Sequence, residues 1–246
     1  MLAAENLTIR RGGARVITDL SAQLARGEIT AIVGPNGAGK SSLLLALAGL
    51  LKPAVGAVVL EQRALGLIPA RERARRIGYL PQSPDIAWDV AAEKLIALGR
   101  LPYGDDGSAA IERAIAALAL DPLRTRPVSQ LSGGERARVL LARVLAGEPE
   151  WLLVDEPLAA LDLAHQISLI GHLKACTRAG QGVALVLHDL AQAMNHAARV
   201  LVLKDGALIA DGPPQDALSP GIIQQVWGVQ VRWLGDRGAK ALVPAA

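Results

Sequence analysis

Leu7-Thr8-Ile9-Arg10 alternates apolar and polar positions, the period of a half-buried strand. Gly12-Gly13 then offers a tight turn before Val16-Ile17 resumes extended chain. Ile29–Val33 is a short, largely apolar run that feeds a glycine-rich stretch. Residues 40–50, rich in Leu and Ala, read as a helix ending near Gly49, and Val55–Leu60 and Ile77–Leu80 as further strands. Beyond Gln82 the texture changes. Residues 90–98 and 109–120 read as helices around the polar loop 104–108, and 135–146 as a third helix directly after Gly133-Gly134. Residues 151–154, 183–187 and 200–203 have strand length, with helices expected at 162–178 and 189–197. Lys204-Asp205-Gly206 turns into a last hairpin strand at 207–210, and a short helix at 222–227 follows Pro213, Pro214 and Pro220. Strands alternating with helices predict an α/β fold, a mostly parallel sheet with helices on both faces. The pattern places a mostly helical lobe at 83–147, inserted between core segments 1–82 and 148–246.

Composition narrows the class. The chain has 246 residues, enough for one large domain or two lobes sharing a core, and 51% apolar residues make global disorder untenable. Its net charge of +3, from 26 basic and 23 acidic side chains, gives no support for a nucleic-acid footprint. Cys176 is the single cysteine, so there is no internal disulfide, which suits a reducing compartment; a buried structural role is expected for it. Residues 1–30 carry Glu5, Arg10, Arg11, Arg15, Asp19, Arg26 and Glu28 and lack the pattern of a secretory signal. No apolar run approaches the roughly 20 residues of a spanning helix. The chain is therefore expected to be soluble by itself and to do membrane work only through a separate spanning partner.

The glycine-rich stretch carries the chemistry. Gly34-Pro35-Asn36-Gly37-Ala38-Gly39-Lys40-Ser41 fits the phosphate-loop pattern G-x-x-x-x-G-K-[ST], between a strand and a helix as that pattern requires. Glycines let successive backbone N–H groups face a phosphate, and the helix N-terminus adds a favourable dipole. Lys40 supplies positive charge to the outer phosphates, and the Ser41 hydroxyl suits Mg²⁺. Ser42 either helps hold the inner phosphate or caps the helix. Trp151-Leu152-Leu153-Val154 is an apolar strand ending in Asp155-Glu156. Asp155 is placed to hold Mg²⁺ through water, and Glu156 to polarise an attacking water. Of His165, His172, His188 and His196, only His188 stands at a strand mouth, where imidazole can meet a terminal phosphate or orient water. The others are expected on helix surfaces or in the core, and no histidine–cysteine spacing suggests zinc.

The order of phosphate loop, Gln82, Leu131-Ser132-Gly133-Gly134-Glu135, Asp155-Glu156 and His188 resembles the ATP-binding subunit of ATP-binding cassette (ABC) transporters. The Ser-Gly-Gly turn discriminates, since generic phosphate-loop ATPases lack it, and the likeness runs from Leu2 to about Val229. It implies an α/β phosphate-loop NTPase core with a mostly parallel sheet, N-terminal antiparallel strands and an inserted helical subdomain carrying the signature turn. It also implies a head-to-tail homodimer in which Ser132, Gly133 and Gly134 press on ATP held by the partner's loop. Glu156 would then be the catalytic base, Gln82 the sensor of the outer phosphate and Mg²⁺, and His188 the switch residue. Asp162 matches the loop that crosses the dimer interface; Ala159 stands where a serine is common, so one hydroxyl contact is missing and weaker coupling is expected there. Family members often stack an aromatic ring on adenine after the first strand. This chain has no Phe, and Arg10-Arg11-Gly12-Gly13 occupies the region. Arg11 could stack on the base with Val16 padding the other side; the alternative is a solvated surface arginine.

Several segments resemble the importer branch serving iron–siderophore, haem and cobalamin uptake: Arg75-Arg76-Ile77-Gly78-Tyr79-Leu80-Pro81-Gln82, Ala97-Leu98-Gly99-Arg100-Leu101-Pro102 and Leu161-Asp162-Leu163-Ala164-His165-Gln166. The resemblance implies a peripheral subunit on the cytoplasmic face of the inner membrane. A permease dimer and an external substrate-binding protein would complete the system. The permease is expected to dock on residues 82–103, with Trp88 as anchor and Val90, Leu95 and Leu98 either beside it or packed inside the lobe. A soluble cassette acting on DNA or ribosomes is the alternative, but it would favour paired cassettes, a long coiled-coil insert or a basic patch. A cassette with dead sites is disfavoured by intact Lys40, Asp155, Glu156 and His188.

Overall fold

The computed structural model describes residues 1–82, 89–158 and 161–245. The first third contributes β1 (Leu2–Arg11), β2 (Ala14–Leu24), β3 (Ile29–Val33), α1 (Lys40–Leu47), β4 (Val55–Leu60), β5 (Arg63–Ala64), α2 (Ala70–Arg76) and β6 (Ile77–Leu80). A helical stretch follows, with α3 (Ala92–Ala97), α4 (Ser108–Ala117) and α5 (Gly133–Ala146). The chain then runs through β7 (Trp151–Asp155), α6 (Leu163–Arg178), β8 (Gly182–Val186), α7 (Leu190–His196), β9 (Arg199–Lys204) and β10 (Ala207–Gly212). It finishes with α8 (Pro214–Ala217), α9 (Pro220–Trp227) and the hairpin β11 (Val231–Leu234) and β12 (Ala241–Pro244).

Six strands form the central sheet in the order β10-β9-β3-β8-β7-β6. All its pairs are parallel except the edge strand β10 on β9. A separate antiparallel sheet, ordered β2-β1-β4-β5, covers one face. The core strands look uniformly apolar because both sheet faces are buried. Alternate residues nonetheless go to different cores. Ala31, Val33, Leu152, Val154, Leu185, Val200 and Val202 belong to one core, shared with α6, α7, α8 and the helical stretch. Ile32, Trp151, Leu153, Val186, Leu201 and Leu203 pack with α1 and the antiparallel sheet. Cys176 belongs to the first core, and burial pushes its thiol up to about 11. Among the described residues, no helix is long and apolar enough to cross a membrane.

Differences from the sequence-based elements have local causes. The first strand begins at Leu2 rather than Leu7, because bulges after Ala4 and Leu7 break the alternation. The first helix stops at Leu47, short of residue 50, where Gly49 turns left-handed at φ 70°. Helix α4 ends at Ala117 rather than 120, and Ala119 is left-handed at φ 50°. Helix α2 has no fully buried residue, so it lacked the apolar stripe that would have announced it.

Candidate functional site

The parallel strands end along one edge, and the loops leaving them converge. Strand β3 leaves at Gly34, where φ is +154° and a Cβ would collide with the Leu203 carbonyl of β9. Gly39, left-handed at φ 98°, caps α1, and a Cβ there would stand 2.6 Å from the Val16 carbonyl oxygen. Both glycines let the loop lie against neighbouring backbone. Lys40 opens α1 and is only 5% exposed. Its Nζ donates to the Gly34 and Pro35 carbonyls at 2.9 and 3.1 Å, so the ammonium folds back over the loop. Burial lowers its pKa, opposed by the negative fields of Glu156 and Asp155.

Asp155 ends β7 and is 4% exposed. The Ser41 hydroxyl donates to its Oδ1 at 3.2 Å. Burial raises the Asp155 pKa; the Ser41 hydrogen bond works against this, the Glu156 charge adds to it, and Lys40 and His188 oppose it. Burial, and then the nearby Asp155, push the phenol of Tyr79 on β6 up to about 12. Sequence reasoning passed over Tyr79; its signal was a hydroxyl-bearing ring in an otherwise apolar four-residue strand.

Glu156 takes the left-handed conformation, φ 47°, unusual for a side-chain-bearing residue and of the kind found at functional sites. Its N–H donates to the Val186 carbonyl at 3.2 Å. Gln82 Nε2 donates to Glu156 Oε2 at 2.6 Å, and His188 Nε2 lies 2.6 Å from Oε1. One carboxylate is thus held from both sides by side chains 74 and 32 positions away in the chain. A cleft of about 490 Å³ is lined by Asn36 through Ser42, Gln82, Glu156 and His188. It is lined too by Arg11 and Val16, at the tip of the β1–β2 hairpin. The volume suits a small-molecule ligand. A hydroxyl beside a buried carboxylate is a hard oxygen donor set that fits Mg²⁺.

The remaining candidate residues lie outside this cleft. Ser132 is the N-cap of α5: its Oγ accepts from Glu135 N at 3.3 Å, and Glu135 Oε2 accepts from Ser132 N at 2.8 Å. This reciprocal pairing of Ser132 and Glu135 is a capping box. It leaves the hydroxyl proton free to donate outward. Gly133 is exposed at the helix start, whereas Gly134 is buried. Asp162 caps α6, accepting from His165 N at 2.9 Å, and lies 2.7 Å from His165 Nδ1. Those two contacts hold its carboxyl below the ordinary range. Trp88 and Ala159 lie outside the described residues.

Asp155→Asn is expected to raise the melting temperature of the nucleotide-free protein at neutral pH while lowering ATP turnover about a hundredfold. The folded-state pKa of Asp155 lies above its unfolded value. The folded protein therefore binds this proton more tightly, and stability falls as pH rises above the unfolded pKa. A neutral amide keeps an acceptor for Ser41 and removes that loss. Thermal melts of both proteins across pH 4 to about 8 would check the sign; a lower melting temperature for the variant at neutral pH would refute it.

A glycine loop over a buried lysine, paired carboxylates at a strand end and a flanking histidine together define a phosphate-loop ATPase. The ABC transporter family profile matches residues 17–159, and the chain belongs to that family as one of its ATPases. It is 43% identical to the hemin import ATP-binding protein HmuV of Rhodococcus jostii, over 92% of this chain and 80% of that one. It is 42% identical to the protein of the same name from Pseudomonas aeruginosa, over 94% of each. Among solved structures, a metal-chelate type ABC transporter in an inward-facing conformation aligns with a TM-score of 0.86 at 25% identity, covering 100% of this chain and 97% of that chain.

Proposed function

We propose that two copies of this chain hydrolyse ATP at shared sites and so energise import of haem, or a closely related metal chelate, through a separate permease. The observation that carries the ATPase chemistry is the Gln82–Glu156–His188 cluster at the mouth of the phosphate-loop cleft. The relatives named for hemin import support the cargo. The loop N–H groups and Lys40 bind the phosphates, Lys40 exchanging two neutral carbonyls for charged oxygens. Glu156 accepts the proton of the attacking water; Gln82 and His188 hold its carboxylate in place. Ser41 and Asp155 would hold Mg²⁺, which neutralises charge on the phosphates when bound. Arg11 and Val16 flank the cleft where the base would lie, and Arg11 offers a planar guanidinium for stacking. Ser132 and the exposed start of α5 supply the donors that complete the partner's site, with Asp162 near the crossing between subunits.

Transport requires a docking surface, and the cytoplasmic face of the inner membrane is where this subunit would work. A groove of about 310 Å³ runs between α2–β6 and the α3–α5 region, lined by Ala74, Ile77, Leu98, Leu101, Pro102 and Arg143. Leu95 packs inside the lobe at 3% exposure and Val90 is partly buried against it, whereas Leu98 and Leu101 are 42% and 71% exposed. Arg100 fixes the rim. It is buried, binds Asp105 through both carboxylate oxygens and Glu148 at 3.0 Å, and stacks 3.7 Å from the Tyr103 ring centre. We expect Leu101→Ala to weaken permease-stimulated ATPase activity about fivefold and to spare basal activity, as loss of an exposed apolar anchor would. Full stimulation of a folded variant in reconstituted vesicles would exclude this groove. The cargo is tested by uptake of haem, cobalamin and ferric siderophores in a deletion strain carrying the gene. Restoration of cobalamin or siderophore uptake without haem uptake would refute the haem assignment.

A further inference from the structure

His165 was not singled out by the fold or by the chemistry of the cleft, yet it occupies a particular junction. Its imidazole lies flat on Gly134: a Cβ at that glycine would collide with ring atoms Cγ, Cδ2 and Nε2. Gly134 lies inside α5 without a positive φ, so glycine is not needed there for the backbone. The ring itself requires the absence of a side chain. Asp162 Oδ1 holds Nδ1 of the same ring at 2.7 Å and also caps α6. The next residue, Gln166, reaches the other way. Its Nε2 donates to the Leu158 and Leu161 carbonyls, both at 3.1 Å, and so grips the segment that follows Glu156. The first turn of α6 is thereby fastened on one side to the Glu156 segment and on the other to the start of α5.

Resting on the reading that ATP sites are shared between subunits, we propose that His165 is a positioning residue coupling the two sites. Through it, the α6 turn bound to a protomer's own Glu156 segment sets the place of that protomer's Ser132–Gly134 turn, which serves the partner's site. A rigid contact suits this task. The ring and helix backbone are close-packed and transmit displacement with little slack. Misplacement of a transition-state donor is costly, about a hundredfold for roughly 1 Å. His165 touches no reacting atom, so its loss should lower kcat and leave nucleotide affinity at the protomer's own loop unchanged.

The test places the defect on a chosen protomer. Heterodimers of wild type with Lys40→Ala, isolated with the permease through two affinity tags, retain one working phosphate loop. In one preparation His165→Ala sits on the Lys40→Ala protomer, so the working loop faces the altered turn. In the other it sits on the opposite protomer, so the working loop faces an unaltered turn. We expect turnover about tenfold below the wild-type/Lys40→Ala level in the first and near that level in the second. His165→Asn, which keeps a hydrogen-bonding group for Asp162 but removes the ring, should give the same pattern and serves if the alanine variant melts early. Equal activity in the two arrangements, or a defect only in the second, overturns the coupling. Ser132→Arg in the same two arrangements separates the failures. If it depends on placement and His165→Ala does not, only the coupling falls; if neither does, the shared site falls with it.

Discussion

Glu156→Gln should bind ATP normally and lose turnover by about 100- to 10,000-fold, the usual contribution of a general base. The structure sharpens the reason. The carboxylate accepts from Gln82 on one oxygen and meets His188 on the other. A glutamine of the same shape keeps one acceptor oxygen and gains an amide donor, but it has no carboxylate to take a proton from water. The backbone, already left-handed at this position, is not altered by so conservative a change. With binding intact and chemistry blocked, ATP and Mg²⁺ should trap a dimer that elutes earlier in size exclusion than the nucleotide-free protein. Near-normal hydrolysis by the variant would remove Glu156 from the role of base.

Ser132→Arg should abolish hydrolysis in a homodimer, leave nucleotide binding to the monomer intact, and regain activity when mixed with Lys40→Ala. On the shared-site proposal, each variant would spoil a different half of one site. In the mixed dimer one site combines both defects and the other has neither, so recovery approaches half of wild type in fully paired heterodimers. The capping box adds a complication: Ser132→Arg also removes the N-cap of α5, which costs about 1 kcal/mol. Ser132→Asp keeps a capping acceptor but turns a carboxylate toward the partner's phosphates. It should block turnover without the loss of melting temperature. Normal hydrolysis by either Ser132 variant alone would show that this turn does not face the partner's nucleotide.

Much of the fold was legible because local signals agreed with one another. The apolar runs of β3, β7, β8 and β9 were strand-sized and separated by helical patterns, which implies a parallel sheet. The phosphate loop was legible because its glycines answer a backbone requirement that few other sequences meet; Gly34 and Gly39 stand where a Cβ would meet neighbouring carbonyls. Less visible were α2, which has no apolar stripe, the start of β1, whose bulges hide its period, and the β11–β12 hairpin. His165 had no local signal at all, since its meaning depends on a glycine 31 positions away.

The residue types and spacings by themselves determined the class of chemistry: a loop that curls around phosphate, a lysine to meet it, and a carboxylate pair delivered by a buried strand. They did so because these demands are local, met within a few residues of backbone. Only the tertiary structure decided which groups touch. It set Gln82 and His188 on opposite oxygens of Glu156, Tyr79 beside Asp155, and Arg11 and Val16 on the rim of the same cleft. It also put the Ser132–Gly134 turn outside that cleft, with Gly134 under the His165 ring. Such contacts join segments far apart in the chain. They arise from how the strand edge, the hairpin and the two helix starts pack together, and no local period records that packing.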